Sequence, residues 1–353
     1  MAHHLERTVS AIIPARNEEL TITRAVRSLA GQPGIGEIIV VDDQSQDRTP
    51  EILAELKSQC PVLCTVRLDH LPEGWVGKSR AAAEGAKLAS GEWLLFTDAD
   101  TEHQSGSLAT LLARAERAEA DMLSISPGQR VETWWEKAVI PLVYVQLARL
   151  YRFEDVNDTG SPTAAANGQY ILIRRSAYDR IGGHEAVREA VLEDVALARR
   201  VKSTGGRIIF LPGAEWAETR MYRTFREMWL GWTKNLFLLY GGNTPKILRT
   251  ACELLCLFWL PQVIVIVLLA TFWPAPSKAW ILALIIACAA LFLGYGWRYA
   301  RQLKRLGFPA YLWMYFWIGA TLFILMLLNS LRAYKRAGSI EWKGRAYSTK
   351  RAW

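Results

Sequence analysis

The sequence predicts an α/β domain with helices on both faces of its sheet, followed by a C-terminal α-helical transmembrane region. Short apolar strands alternate with helical periodicities up to about residue 246, acidic clusters stand where those strands end, and three nearly uncharged segments follow. The expected domains are 1–246, a transmembrane region over 247–334 and a basic cytoplasmic tail over 335–353.

Residues 8–13 read as a short apolar strand, and residues 20–30 as a helix with apolar positions three and four apart. A second strand over 37–41 ends at Asp42-Asp-Gln-Ser45, and after a further helix a third strand occupies 62–67. A helix over 78–89 leads to the strand 93–97, which ends at Asp98. This is the order of a nucleotide-binding α/β half, and ligands bind such sheets at the carboxyl ends of their strands.

The chain has 353 residues, of which 51% are hydrophobic and 22% charged, a balance that excludes disorder. Its formal charge of +8 is uneven: residues 251–353 hold 12 Lys/Arg against 2 Asp/Glu, and residues 1–250 hold 30 against 32. A basic excess confined to the ends of apolar runs fits anionic lipid headgroups, and no nucleic acid partner is expected. Residues 1–7 are polar and no signal peptide is evident, so the N-terminal domain is expected in a reducing cytoplasm. The cysteines at 60, 64, 252, 256 and 288 lack the companions of a zinc site and read as small hydrophobes.

Segments 252–273, 279–297 and 310–331 are each long enough to cross a bilayer, and Trp273, Trp280, Trp297, Tyr311 and Trp313 gather at their ends. A multi-pass protein of the cytoplasmic membrane, its larger domain facing the cytoplasm, is the expectation. The charge rule creates a conflict. The loop 298–309 has four basic residues and the tail after Leu331 has seven, yet three crossings would put them on opposite sides. One segment is therefore expected not to span, and Pro261 and Gly319 mark two places where a helix could break. Residues 131–153 form a wide apolar stripe containing Trp134, Trp135 and Tyr151, which reads equally as a core helix or as an interfacial amphipathic helix.

Four clusters carry the chemistry: Pro14-Ala-Arg-Asn-Glu18, Asp42-Asp-Gln-Ser45, Asp98-Ala-Asp100 and Leu192-Glu-Asp194. Side chains two apart on an extended chain point the same way, so Asp98 and Asp100 are expected on one side, suited to a hard divalent cation that bridges a diphosphate. Glu193 and Asp194 open a helix, where carboxylates are favoured even without a function.

This set, in this order, resembles family 2 glycosyltransferases of the GT-A fold, the Rossmann-like nucleotide-diphospho-sugar transferase architecture, over residues 8–235. Further motifs, Gly74-Trp-Val-Gly-Lys78, Asn167-Gly168, Arg220-Met-Tyr222, Gly231-Trp-Thr-Lys-Asn235 and Glu341-Trp-Lys-Gly-Arg345, resemble the hopanoid- and carotenoid-modifying members and, more distantly, ceramide glucosyltransferases. The resemblance implies an inverting hexosyl transfer from a nucleotide sugar, a UDP-hexose, to a lipid acceptor. It implies that Asp43 accepts from the nucleobase, that Pro14, Asn17 and Glu18 wall the same pocket, and that Lys78 reaches the phosphates. Asp98 would lie near the ribose and the metal, and Asp100 would ligate Mg or Mn. Asp194, beside Glu193, would be the general base, since inversion needs a carboxylate facing the acceptor hydroxyl.

The stretch Met228-Trp-Leu-Gly-Trp232 keeps the Trp of the Gln-x-x-Arg-Trp pattern of relatives but not its Gln or Arg, which weakens a polysaccharide synthase reading. Trp232 is expected either to stack on the sugar or acceptor or to be structural, with Arg220 or Lys234 near the diphosphate. The tail segment 342–345 is expected to return to the site, which requires a cytoplasmic tail. A polyprenyl-phosphate glycosyltransferase and a non-catalytic membrane scaffold are the remaining alternatives. A carboxylate acceptor would need no base, so the retained Glu193-Asp194 pair favours a hydroxyl acceptor.

Overall fold

The computed structural model describes residues 9–272, 279–336, 338–342 and 344–348. Trp273, the loop 274–278, Lys343 and the basic end of the tail lie outside the described residues.

The strands and helices of the first part are β1 (Val9–Ala15), α1 (Ile22–Ala30), β2 (Ile35–Asp42), α2 (Thr49–Gln59), β3 (Leu63–Arg67), α3 (Gly77–Leu88) and β4 (Trp93–Phe96). Next come β5 (Thr101–His103), α4 (Ser107–Arg117), β6 (Met122–Gln129), α5 (Trp134–Leu150), α6 (Phe153–Asn157), β7 (Ile171–Arg174) and α7 (Arg175–Arg180). A 3-10 turn at Gly183–Val187, α8 (Glu193–Ser203) and β8 (Ile208–Thr219) follow. The helical part contains α9 (Phe225–Leu239), α10 (Thr244–Phe258), α11 (Leu260–Phe272), α12 (Ala279–Arg305) and α13 (Phe316–Arg336), and the chain closes with β9 (Ser339–Trp342) and β10 (Arg345–Ser348).

Eight strands make one mixed sheet in the order β3-β2-β1-β4-β7-β6-β8-β5. Strands β1 to β4 run parallel, and β7 turns the direction by pairing antiparallel with both β4 and β6. The two-residue period of the strands sorts their side chains onto two cores. Ile12, Ile39, Leu94 and Phe96 face one side, and Ala11, Ile13, Ile38, Val40, Trp93 and Leu95 face the other. Both faces are covered, which is why these strands are apolar throughout rather than alternating. Each fully buried Ile or Leu contributes about 1.5–3 kcal/mol of transfer free energy.

Two compact units emerge. The first contains Met1–Arg130, Ala148–Met221 and Lys343–Trp353; the second contains Val131–Leu147 and Tyr222–Trp342. The division thus departs from a single boundary at 246. Residues 222–246 fall in the helical unit because α9 is anchored to α13: Phe237 N–H donates to Ser330 Oγ at 2.9 Å, Ser330 Oγ donates to Thr233 O at 2.6 Å, and Asn329 Nδ2 donates to Thr233 Oγ1 at 3.0 Å. Residues 131–147 fall there because α5 is a buried helix, not an interfacial one. Its residues from Ala138 to Gln146 are buried in unbroken succession, Glu136 is 1% exposed, and a Cβ at Gly319 of α13 would collide with the Ala138 carbonyl. An interfacial helix would leave one apolar stripe bare.

Three helices of the second unit are long and apolar enough to cross a membrane: Thr244–Thr271, Ala279–Arg305 and Ala310–Arg336. Pro261 stands in the first turn of α11, where its missing N–H breaks no helical bond, so α10 and α11 read as one span. Ile266, Leu282, Ile286, Leu291 and Leu293 are more than half exposed on these helices, an apolar surface suited to lipid.

Candidate active site

Every charged group of the site described next belongs to the first unit. The loop after β1 and the loop after β2 are stitched together. Asn17 adopts φ 54°, a left-handed conformation that Asn tolerates, and its N–H donates to Ser45 Oγ at 2.9 Å while its Oδ1 accepts from Gln46 N–H at 2.8 Å. Glu18 N–H donates to Thr49 Oγ1 at 2.8 Å, and its carboxylate accepts from the Thr21 hydroxyl at 2.9 Å. Asn17 and Glu18 therefore spend these groups on the loops themselves, with Pro14 half-buried in β1 beside them. Arg16 completes the brace: its Nη1 donates to the main-chain carbonyl of Asp43 at 2.6 Å and to that of Gln44 at 3.2 Å.

Asp43 is buried and faces Gly77, the first residue of α3, where any Cβ would overlap the Asp43 carboxylate. Both of its oxygens are engaged by Arg345 of β10: Nη2 donates to Oδ1 at 2.9 Å and Nη1 donates to Oδ2. The returning tail thus reaches Asp43.

Lys78, next in α3, organises the acidic residues. Its Nζ lies 2.7 Å from Asp98 Oδ1 and 2.8 Å from Glu193 Oε1. Burial alone would push this ammonium down, but Asp98, Glu193 and Asp194 outweigh burial and hold its pKa well above the usual lysine value. Burial would likewise raise Glu193, yet the charge and hydrogen bond of Lys78 hold it below the usual carboxylate range. Asp194 differs. Its Oδ2 accepts from Gly168 N–H at 2.9 Å and its Oδ1 from Val195 N–H at 2.8 Å, while burial and then the Glu193 charge push its pKa up to about 6. Two adjacent carboxylates at the start of α8 are thus driven apart in acidity, one fixed as an anion and one poised near neutrality.

Gly168 makes this arrangement fit. A Cβ there would stand 2.7 Å from Lys78 Nζ, 3.4 Å from Glu193 Oε1 and 3.5 Å from Asp194 Oδ2. His184 packs edge-on to Phe96 and shares a 3.0 Å hydrogen bond between its Nδ1 and the Tyr178 hydroxyl; burial lowers its pKa to about 4, so it is neutral at ordinary pH.

The expected extended geometry of Asp98 and Asp100 is corrected. Strand β4 ends at Phe96, and Thr101 N–H donates to Asp98 O at 3.2 Å, closing a turn through Asp98, Ala99 and Asp100. The chain turns because β5 must run antiparallel to β8, with Thr101 opposite Thr219. One step along that register, Asp100 and Arg220 follow on neighbouring chains. Two hard carboxylates two positions apart suit a divalent cation that takes its other ligands from water and phosphate oxygens. Among the described residues no group of three or more His, Cys, Asp or Glu offers a complete protein cage.

Trp232 lies in the second unit, 3% exposed, with its ring 6.1 Å from that of Tyr222 and its buried indole N–H without a hydrogen-bond partner among the described residues. Of its two expected roles, the observed packing is that of a structural residue. The sequence named Gly77, Gly168 and Arg345 within motifs but gave Gly77 and Gly168 no role, and it missed Arg16 as a brace. Only the adjacency of Gly77 to Lys78 hinted at close approach, and Gly168 has no charged residue within five positions.

Residues 10–182 match glycosyl transferase family 2. The chain is 27% identical over 358 residues to the 4,4'-diaponeurosporenoate glycosyltransferase of Staphylococcus aureus, covering 97% of this chain and 88% of that protein. It is 27% identical over 257 residues to the Staphylococcus haemolyticus protein of the same name, covering 72% of this chain and 66% of that one. Among solved structures, the mannosyltransferase PcManGT of Pyrobaculum calidifontis in complex with GDP-Man and Mn2+ is 19% identical, with a TM-score of 0.49 over 90% of this chain and 86% of that one.

Proposed function

We propose that this chain is a glycosyltransferase built on the family 2-like region 10–182 and that it transfers a hexose from a nucleotide sugar, a UDP-hexose, to a lipid acceptor of carotenoid type at a membrane surface. The observation that carries the reading is the linked set Asp98, Lys78, Glu193 and Asp194. In it a carboxylate with a pKa near 6 stands next to a fixed ammonium.

Asp194 takes the proton of an acceptor hydroxyl as that oxygen attacks the anomeric carbon, and the nucleoside diphosphate departs on the opposite face with inversion. Gly168 N–H and Val195 N–H aim the carboxylate. Glu193 holds Lys78, whose ammonium offsets negative charge on the departing diphosphate. Asp43 accepts from the nucleobase, and Arg16 fixes its backbone. Asp100, with Asp98, would hold a Mg or Mn ion, which when bound supplies further positive charge at the diphosphate.

The membrane arrangement follows from the tail. Arg345 bonds Asp43, so the chain leaves and re-enters the same side, and the number of bilayer crossings is even. The segment after Arg336 is short and charged and does not itself cross. Of the three apolar helices, the third is set apart: 44% of its apolar window is buried within the protein, against 11% and 17% for the others. We assign the crossings to α10–α11 and α12, with α13 held against α5 and α9. The basic loop 298–309 and the basic tail then share the cytoplasmic side, and the conflict with the charge rule disappears.

The staphylococcal relatives' names specify a carotenoid acid, whose carboxylate carries no proton to remove at attack. The raised Asp194 favours a hydroxyl acceptor instead. Incubation of purified protein with UDP-hexose and a panel of carotenoid alcohols, carotenoid acids and polyprenyl phosphates, read by mass spectrometry, tests this. A hexosylated carotenoid formed by the wild type and lost in Asp194→Asn supports the reading, and product only on a polyprenyl phosphate contradicts it.

A further inference from the structure

Asp43 and Arg345 are 302 residues apart in sequence, with three apolar helices between them, yet they form a two-bond guanidinium–carboxylate pair. Both side chains are nearly enclosed, Asp43 at 5% and Arg345 at 14% exposure. Gly77 supplies the notch, because a Cβ there would collide with the guanidinium as well as the carboxylate. Arg16 already fixes the main chain at Asp43. What remains free to turn is the carboxylate itself, and Arg345 fixes it.

Such a pair is more than a tether. A guanidinium has five N–H donors in a rigid fork, and two of them suffice for a carboxylate. Each carboxylate oxygen also keeps a second lone pair. The pair therefore presents an acceptor beside a donor, in fixed orientation. That pattern complements a base edge with adjacent N–H and C=O groups, as the N3–H and O4 of uracil provide, and it mismatches cytosine, whose N3 accepts and whose N4 donates.

We propose that Arg345, delivered by the C-terminal tail, is the positioning residue for Asp43 and the donor half of a two-point reader for uracil. This rests on the nucleotide-sugar reading above and deepens it: the loops after β1 and β2 are not a self-sufficient nucleotide site but are completed by β10, a strand of the same unit reached only after the helical part of the chain. Arg345 earns this assignment through its geometry on Asp43, not through any change at the transferred sugar, so its loss should act on nucleotide binding and leave the transfer step largely intact.

The test uses full-length protein in nanodiscs, with UDP and CDP titrated by calorimetry. For Arg345→Gln the expected result is UDP binding weakened by at least tenfold, a smaller loss for CDP, a raised KM for the sugar donor and kcat within about threefold of wild type. Asp43→Asn should weaken UDP comparably, and the double variant should be no worse than the weaker single, because the two side chains act as one unit. Arg345→Lys, which keeps the charge but not the fork, should recover only part of the affinity. Equal or tighter UDP binding by Arg345→Gln, or fully additive losses, would overturn the proposal. Wild-type protein that binds no UDP would instead remove the nucleotide reading on which it rests.

A second arm needs no nucleotide. In a background with Cys60, Cys252, Cys256 and Cys288 replaced by Ala, exposed Cys64 serves as the reference thiol, and Gly338→Cys reports on the exposed segment leading to the tail. A membrane-impermeant maleimide should label both thiols in the same vesicle orientation. Labelling from opposite faces would overturn the proposal outright, since Arg345 could not then reach Asp43.

Discussion

Replacing Glu193 by Gln probes the acid–base design of the site without removing the base. Asp194 has its pKa pushed from an ordinary 3.8 to about 6, first by burial and second by the Glu193 charge. That difference corresponds to about 3 kcal/mol favouring the protonated carboxyl, at about 1.4 kcal/mol per tenfold. Burial is the larger cause and remains, so removing Glu193 should lower the Asp194 pKa without removing the whole of its elevation. Lys78, released from Glu193, acts in the same direction. The base works only when ionised, so kcat/KM should rise with pH along a limb near 6 in the wild type and along a more acidic limb in Glu193→Gln. Asp194→Asn should abolish the limb and lower kcat by about 10²- to 10⁴-fold, or roughly 3–5 kcal/mol. Initial rates of hexosyl-lipid formation from pH 4.5 to 8.5 provide the measurement. A limb that stays in place in Glu193→Gln, or Asp194→Asn retaining full rate on a hydroxyl acceptor, would refute the assignment of the base.

Gly168→Ala should reduce kcat by at least tenfold with little change in thermal stability, because the new Cβ displaces the Lys78 ammonium from beside Glu193 while Asp194 keeps its backbone bonds; unchanged kcat would show that this close packing is incidental. Lys202→Met should destabilise the first unit by about 2–4 kcal/mol in chemical unfolding, since Lys202 Nζ, 2.5–3.2 Å from the carbonyls of Asp155, Asp158, Ser161 and Thr163, shares its ammonium donors among them and so clamps the segment leading to Gly168. Hydrogen exchange in residues 158–166 should rise in that variant, and protection equal to wild type would argue that the clamp carries no weight. Asp100→Asn should weaken Mn-dependent UDP binding at least tenfold in calorimetry while leaving Mn-independent binding near wild type; equal loss in both would point to a structural role for Asp100.

Much of the sheet was legible because its information is local. Val9–Ala15, Ile35–Asp42 and Trp93–Phe96 are β-rich runs bounded by polar turns, and their ends carry the site's carboxylates. The turn at Asp98 to Thr101 was not legible. Its cause is the pairing of Thr101 with Thr219, a contact 118 positions away that no period in the sequence announces. Helix α5 was ambiguous for a different reason: an almost wholly apolar helix looks alike whether protein or lipid surrounds it, and here Gly319 and its neighbours provide protein. The count of apolar segments came from composition, but their crossings depend on where the tail ends. The proposed number of crossings rests on Arg345 meeting Asp43, a long-range pairing that composition does not announce. Gly77 and Gly168 show the same pattern, since each is required by side chains brought in from distant parts of the chain.

The account depends most on Asp194 and Lys78 acting together at a sugar-transfer centre beside a membrane. Mass spectrometry of lipids from a host expressing the wild-type chain, set beside hosts expressing equal amounts of folded Asp194→Asn and Lys78→Met, examines this most directly. The prediction is a hexosylated lipid that accumulates with the wild type and falls to background with both variants. The same product at equal abundance in all three strains would contradict it.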